Sequence, residues 1–270
     1  MEKFNHLLKK ANLYLQLMRV DRPIGFYLLM WPVLWAFLIS TSGKPTIFYM
    51  IIFGIGIIVT RSAGCIINDY FDQEYDRKVE RTKNRVLADK KISNQEALIL
   101  FLLLILICFV LLLMLDLKVL LFAIISLCLL ISYPLMKRFF KIPQLILGLA
   151  FGSSIPMVFI LEAGEINLNC VLLYSLTVIW AIVYDTYYAM ADKKDDRKVG
   201  IQSSALFFGE NDIKYSSYLH YTVIILFAVI GLINNFDLVF YTIMLLSCLC
   251  VIYQNLLVRN RVPYQCISAF

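Results

Sequence analysis

The sequence is poor in charge and poorer still in histidine. Of 270 residues, 16% are Asp, Glu, Lys or Arg, and the two histidines are His6 and His220. Their spacing offers neither a ligand pair nor an acid–base pair, so neither is given a role. Seven cysteines are present (Cys65, Cys108, Cys128, Cys170, Cys248, Cys250 and Cys266), but no CxxC or related pattern accompanies them. They read as small core or lipid-facing residues rather than a metal or redox centre. No Gly/Ser-rich linker or polar domain interrupts the chain, so residues 1–270 are expected to form a single integral-membrane domain. The charged first 22 residues lead into an apolar run with no small-residue cleavage site, which argues against a cleavable signal peptide.

Long apolar runs are abundant. Hydrophobic residues make up 61% of the chain and the mean hydropathy is +0.77. Runs near or above the ~18 residues that suggest a spanning helix place the protein in a bilayer. The expected fold is an all-α, polytopic bundle with eight spans, near 24–41, 46–68, 96–115, 117–134, 144–163, 167–190, 215–233 and 237–256. Charge is depleted unevenly. Lys and Arg number five before the first span, seven in 69–95, three in 135–143, five in 191–214 and two after 256, whereas the alternate links hold Lys44 and Lys118 alone. This bias directs the N-terminus and both acid-rich loops to the cytoplasm. It also explains the net charge of +6 without a nucleic-acid partner. An acidic, basic-rich segment follows both the second and the sixth span, so two pseudo-repeated four-helix halves around a central cavity are expected.

The first of these segments holds Asn68, Asp69, Asp72 and Asp76, and the second Asp192 and Asp196. Spacings of three and four put the acids of each segment on one helical face. Facing each other, the two clusters would cage a Mg²⁺ ion carrying a phosphorylated ligand, since Mg²⁺ takes a few hard oxygen ligands and completes its shell with water and phosphate. The cations of Arg77–Arg85 can bind phosphate oxygens directly. An ordinary charged loop would explain solubility and orientation, but not the concentration of acids on one face at equivalent positions of both halves.

Arg61 is the remaining basic residue, and it lies inside a span. A guanidinium there costs roughly 2.5–3.5 kcal/mol unless it faces a polar cavity. Its separations of seven from Asn68 and eleven from Asp72 leave it within about 20° of both on the helical wheel. Its expected partner is a carboxylate or a diphosphate. Tyr184, Asp185, Tyr187 and Tyr188 bring polar groups to the inner end of the sixth span, either as an aromatic wall suited to a cationic intermediate or as an interfacial tyrosine belt. Lys137, Arg138 and Lys141 can bind phosphate or anchor the headgroup region. Trp31, Trp35 and Trp180 read as packing residues.

Taken together, Asn68-Asp-x-x-Asp72-x-x-x-Asp76 and Asp192-x-x-x-Asp196 resemble the paired motifs of the UbiA superfamily of intramembrane prenyltransferases. Five further segments resemble its 4-hydroxybenzoate polyprenyltransferase branch, which acts in ubiquinone synthesis. These are Met18-Arg-Val-Asp-Arg-Pro-Ile-Gly25, Arg61-Ser-Ala-Gly-Cys-Ile-Ile-Asn-Asp69, Arg81-Thr-Lys-Asn-Arg85, Tyr133-Pro-Leu-Met-Lys-Arg138 and Tyr184-Asp-Thr-x-Tyr-Ala-Met190. The resemblance implies nine spans, and hence that this chain lacks a ninth, C-terminal one. It implies a bacterial inner-membrane enzyme that takes polyprenyl diphosphate and 4-hydroxybenzoate as substrates. Asp72, Asp76, Asp192 and Asp196, helped by Asn68 and Asp69, would hold Mg²⁺ on the diphosphate. Arg22, Arg85 and Lys91 would contact its oxygens, Arg61 and Arg138 are candidates for the acceptor's carboxylate, and Tyr184 and Asp185 mark the acceptor's place. A CDP-alcohol phosphotransferase is disfavoured because Asp69 is followed by Tyr-Phe-Asp instead of that class's Asp-Gly-x-x-Ala-Arg. A cation transporter would favour acids nearer the membrane midplane. Another aromatic or quinone-precursor acceptor is the alternative within the superfamily.

Overall fold

The computed structural model describes the backbone of residues 2–270 and the side chains of residues 5 and 8–270; the side chains of Glu2, Lys3 and His6, counted above, lie outside the described residues. The elements are α1 (Glu2–Leu17), α2 (Ile24–Ser40), α3 (Ile47–Asp76), α4 (Asn94–Leu112), α5 (Leu120–Met136), α6 (Pro143–Gly152), α7 (Ser154–Glu162), α8 (Leu168–Val199), α9 (Ser204–Phe208), α10 (Asp212–Ile233), α11 (Leu238–Val258) and α12 (Pro263–Ala269). Single 3₁₀ turns at Leu117–Val119 and Gly209–Asn211 lead into α5 and α10. No strand occurs among the described residues.

The eight expected spans are all present, with α6 and α7 together forming the fifth. The break between them, at Ser153, follows from Pro156, which has no N–H for the Gly152 carbonyl and whose ring crowds it. Ser153 Oγ instead donates to the Ala150 carbonyl at 2.7 Å. Among the described residues seven helical spans are long and apolar enough to cross a membrane, and α2, at 17 residues, is a shorter apolar helix. Leu102, Leu106 and Leu113 beside or on α4 and Leu245, Leu249 and Leu256 on α11 are exposed, as residues facing acyl chains should be.

α3 and α8 are the second spans of their respective halves and the longest helices, with 30 and 32 residues. At 1.5 Å per residue each reaches well beyond a hydrocarbon core of about 30 Å. Their acidic ends therefore continue the spans as helix, in keeping with the helical spacing of the acids and beyond the span ends expected near residues 68 and 190. One core cluster joins α2, α7, α8 and α10 through Val33, Phe37, Ile155, Phe159, Leu173 and Ile230. Trp35 extends it, with ring centroids 5.6 Å from Trp180 and 4.8 Å from Phe227. A second cluster, with Leu17, Ile66, Leu87, Ile92 and Phe101, packs α1 and the segment after α3 against α3 and α4. That segment is thereby ordered, and α4 starts from a capping box between Ser93 and Glu96. α6 lies so close to α8 that a Cβ on Gly148 would come within 2.8 Å of the Val178 carbonyl, the small-residue contact by which membrane helices approach.

Candidate active site

The inner ends of α2, α3, α5, α6 and α8 surround a cavity of about 580 Å³, roofed by the segment after α3 and by residues 201–203. Its walls change character with depth. Leu28, Leu29, Leu130, Leu147 and Phe151 form an apolar part, and beyond it stand six cations (Arg19, Arg22, Arg61, Arg81, Arg85, Lys137) and five carboxylates (Asp72, Asp76, Asp185, Asp192, Asp196).

On α3, Asn68, Asp72 and Asp76 follow one another at i, i+4 and i+8 and line the cavity. Lys137 Nζ, from the end of α5, donates to Asn68 Oδ1 and to Asp72 Oδ2, both at 2.8 Å, and lies 4.7 Å from the Tyr133 ring centre. Arg85 pairs with Asp76 at 2.8 Å. On α8, the Asp192 carboxylate accepts from Arg81 Nε at 2.9 Å and also pairs with Arg81 Nη2. The same guanidinium donates to the Tyr188 hydroxyl and sits 4.6 Å from that ring's centre. Burial alone would lower the Arg81 pKa, but the Asp192 and Tyr188 contacts outweigh it and raise the value. Asp196 lines the cavity with no side-chain hydrogen bond or ion pair among the described residues.

Arg61 likewise lines the cavity and makes no ion pair among the described residues. Tyr184, buried at 4% exposure, packs edge-on against Trp180 and Phe270, and its hydroxyl has no hydrogen-bond partner among the described residues. Asp185 lines the same wall. Gln144, on α6, accepts from the Ser204 amide at 2.9 Å and so ties the 201–204 segment to the cavity rim.

Four candidates are placed differently from the rest. Asp69 sits at the edge of the α3 face, 60° round from Asp72 on a helix; it does not line the cavity, and its carboxylate is held by Arg19 at 2.6 Å and Arg85 at 3.3 Å. Arg138, one residue past Lys137, turns outward to donate to the Phe71 carbonyl at 3.1 Å and to lie 5.5 Å from the Tyr75 ring centre. Lys91 follows Lys90, whose φ of +56° turns the chain, and pairs with Asp89 at 2.8 Å outside the cavity. Arg22 lines the cavity at its exposed margin, 3.7 Å from Asp21. Conversely, the sequence leaves Lys137 and Tyr188 ambiguous, names Arg81 only among the phosphate-binding cations of Arg77–Arg85, and assigns no role to Arg19 and Gln144. For Lys137 a signal existed, since its i, i+4 spacing from Tyr133 puts both on one face of α5.

The closed metal cage suggested by spacing is not formed by side chains alone. Among the described residues no three acidic, thiol or imidazole groups converge as a metal site. Asp72, Asp76 and Asp192 each have their own cation. The donor chemistry still fits a divalent ion, because hard carboxylate oxygens lie on two facing helices and Mg²⁺ uses few of them when phosphate supplies the rest.

A helical membrane protein whose cavity runs from an apolar part to a set of cations and carboxylates carried on two long helices is built as an intramembrane transferase of lipid-linked groups. More particularly, the chain belongs to the UbiA prenyltransferase family, which matches residues 29–270. It is similar to the 4-hydroxybenzoate octaprenyltransferase of Photobacterium profundum, at 40% identity over 261 residues that span 97% of this chain and 91% of that one. The fold is that of the apo UbiA homolog from Aeropyrum pernix K1, with a TM-score of 0.79 at 23% identity over 90% of this chain and 91% of that one. A UbiA homolog from Archaeoglobus fulgidus bound to GPP and Mg²⁺ gives a TM-score of 0.74 at 17% identity, over 92% of this chain and 87% of that one.

Proposed function

We propose that this prenyltransferase moves a polyprenyl group from polyprenyl diphosphate to the ring carbon ortho to the hydroxyl of 4-hydroxybenzoate. The product is 3-polyprenyl-4-hydroxybenzoate, for ubiquinone biosynthesis. The observation that carries this reading is the order of groups along one cavity: an apolar wall for the chain, Arg61 with no carboxylate partner among the described residues beside Tyr184 and Asp185, and an ion-paired acid and base set at the end roofed by the segment after α3. The 40% identity to a 4-hydroxybenzoate octaprenyltransferase supports the choice of acceptor.

Lys137, Arg81 and Arg85 exchange their carboxylate partners for diphosphate oxygens, with Arg22 at the margin. Asn68, Asp72, Asp76, Asp192 and Asp196 would hold Mg²⁺, which when bound would supply positive charge to stabilise the departing diphosphate. Heterolysis of the donor's C–O bond leaves an allylic cation and diphosphate. The cation lies against the faces of Tyr184 and Tyr188, where ring quadrupoles favour positive charge. Arg61 orients the acceptor through its carboxylate, the ring carbon forms the new C–C bond, and the displaced ring proton passes to a cavity carboxylate, Asp192 or Asp185. The prenyl chain stays among apolar side chains and lipid, which spares the cost of exposing about 25 cal/mol per Å² of its surface to water. The enzyme works as one domain in the bacterial inner membrane with its Asp-rich helix ends toward the cytoplasm, a reading supported by the distribution of Lys and Arg.

The test is an assay of membranes containing the protein with Mg²⁺, polyprenyl diphosphate and radiolabelled 4-hydroxybenzoate. Prenylated product is expected. Product with another aromatic acceptor but none with 4-hydroxybenzoate would overturn the acceptor assignment, and undiminished product in excess chelator would overturn the metal dependence.

A further inference from the structure

Arg61 owes its place to a residue on another helix. Gly25 is buried in the first turn of α2, and a Cβ built on it would lie 2.2 Å from Arg61 Nε, 2.6 Å from Nη2 and 2.8 Å from Cζ. The three nearest atoms all belong to the guanidinium. Gly25 does not have a positive φ, so nothing in the backbone conformation requires glycine here, and in a helix glycine is less favourable than alanine. The missing side chain therefore serves the packing of Arg61. The neighbour is also the far end of a flexible side chain, so an added methyl group can be accommodated by swinging the guanidinium away without moving α2 or α3. The fold tolerates that movement, but the cavity does not keep the same geometry, because Arg61 is a lining group with no ion pair to hold it.

We infer that Gly25 is a positioning residue: its bare backbone fixes the Arg61 guanidinium in the orientation that receives the acceptor. This rests on the reading of Arg61 as the partner of the acceptor's carboxylate. A charge-assisted bond is at stake, which sets the expected effect at about ten- to a hundredfold in apparent affinity.

The experiment is a double-mutant cycle in detergent-solubilised or membrane-embedded full chain, with KM measured separately for 4-hydroxybenzoate and polyprenyl diphosphate. Gly25→Ala and Gly25→Ser should each raise the acceptor KM about tenfold or more, leave the donor KM within about twofold, and keep the thermal unfolding midpoint at or above that of the parent. In an Arg61→Ala background, Gly25→Ala should have no further effect on the acceptor KM, because the space the methyl group needs has been vacated. Additive effects of the two substitutions, or no effect of Gly25→Ala in the parent, would overturn the positioning role. A non-additive cycle in which the donor KM rises and the acceptor KM does not would uphold the Gly25–Arg61 coupling while overturning the acceptor reading, so the two ideas fail separately.

Discussion

Replacing Asp69 by Asn should destabilise the protein more than it impairs metal-dependent turnover. Asp69 is 3% exposed, and its carboxylate takes Arg19 at 2.6 Å and Arg85 at 3.3 Å. Arg85 also has Asp76 at 2.8 Å, whereas Arg19 has no other ion-pair partner among the described residues. Breaking a buried pair costs about 3–5 kcal/mol. An amide retains one hydrogen-bond acceptor, and the Arg19 side chain is 24% exposed, which reduces the expected loss to about 2–3 kcal/mol. At about 2–4 °C per kcal/mol this amounts to a fall of roughly 5–10 °C in the apparent unfolding midpoint. The donor KM should rise by a few fold, because Arg85 loses one of its two supports, and the Mg²⁺ concentration for half-maximal rate should stay as it was. Asp72→Asn breaks a comparably buried pair with Lys137 and should lower the midpoint by a similar amount, but it should leave little Mg²⁺-dependent product at any concentration. Thermal unfolding of purified protein and Mg²⁺ titration of initial rates read both arms. An Asp69→Asn protein with an unchanged midpoint and a tenfold higher Mg²⁺ requirement would refute the reasoning and make Asp69 a metal ligand.

Asp192→Asn should lower turnover by about a hundredfold or more, the scale of removing one group that stabilises developing charge, with the protein still folded by size-exclusion chromatography; full retained activity would remove Asp192 from the site. Asp212, with 0% exposure, is clamped by Lys193 at 2.6 Å and Arg261 at 2.7 Å, so Asp212→Ala should cost about 3–5 kcal/mol in stability while leaving the Mg²⁺ requirement of the surviving folded enzyme unchanged. Gly148→Ala presses a methyl group to within 2.8 Å of the backbone oxygen of Val178 and should cost about 1–3 kcal/mol by overpacking, read as a lower unfolding midpoint. Chelation should abolish prenyl transfer, and added Mg²⁺ should restore it.

What the sequence made legible is what has short range or strong periodicity. Eight apolar runs gave the spans, and the i, i+4 steps of Asn68, Asp72 and Asp76 put them on one face, since a helix imposes both through its own geometry. The helical continuation of α3 and α8 past the membrane could be reached only in part, because charged residues look the same in a loop and on a projecting helix. Pairings across the bundle were out of reach. Arg81 finds Asp192 over a separation of 111 residues and Lys137 finds Asp72 over 65, and no local pattern encodes which cation crosses to which acid. Neighbouring cations show the limit most sharply. Lys137 and Arg138 are adjacent, yet 100° of helical rotation sends one into the cavity and the other onto the Phe71 carbonyl.

These crossed pairs explain why the site holds six cations beside its five carboxylates. Five carboxylates gathered in a cavity bordered by lipid would repel one another and be costly to desolvate unless each had a counter-charge. Lysine and arginine supply it directly for Asp72, Asp76 and Asp192, and six cations against five carboxylates leave the cavity close to neutral. In the proposed mechanism these cations would turn to phosphate oxygens as a divalent ion takes the carboxylates, so that both exchanges pair charge with opposite charge. Either exchange alone would strand charge: the ion without diphosphate would leave Lys137, Arg85 or Arg81 unpaired, and diphosphate without the ion would leave the carboxylates so. The expected outcome is that Mg²⁺ and diphosphate each bind more tightly when the other is present, measured as a fall in the Kd of either on adding the other.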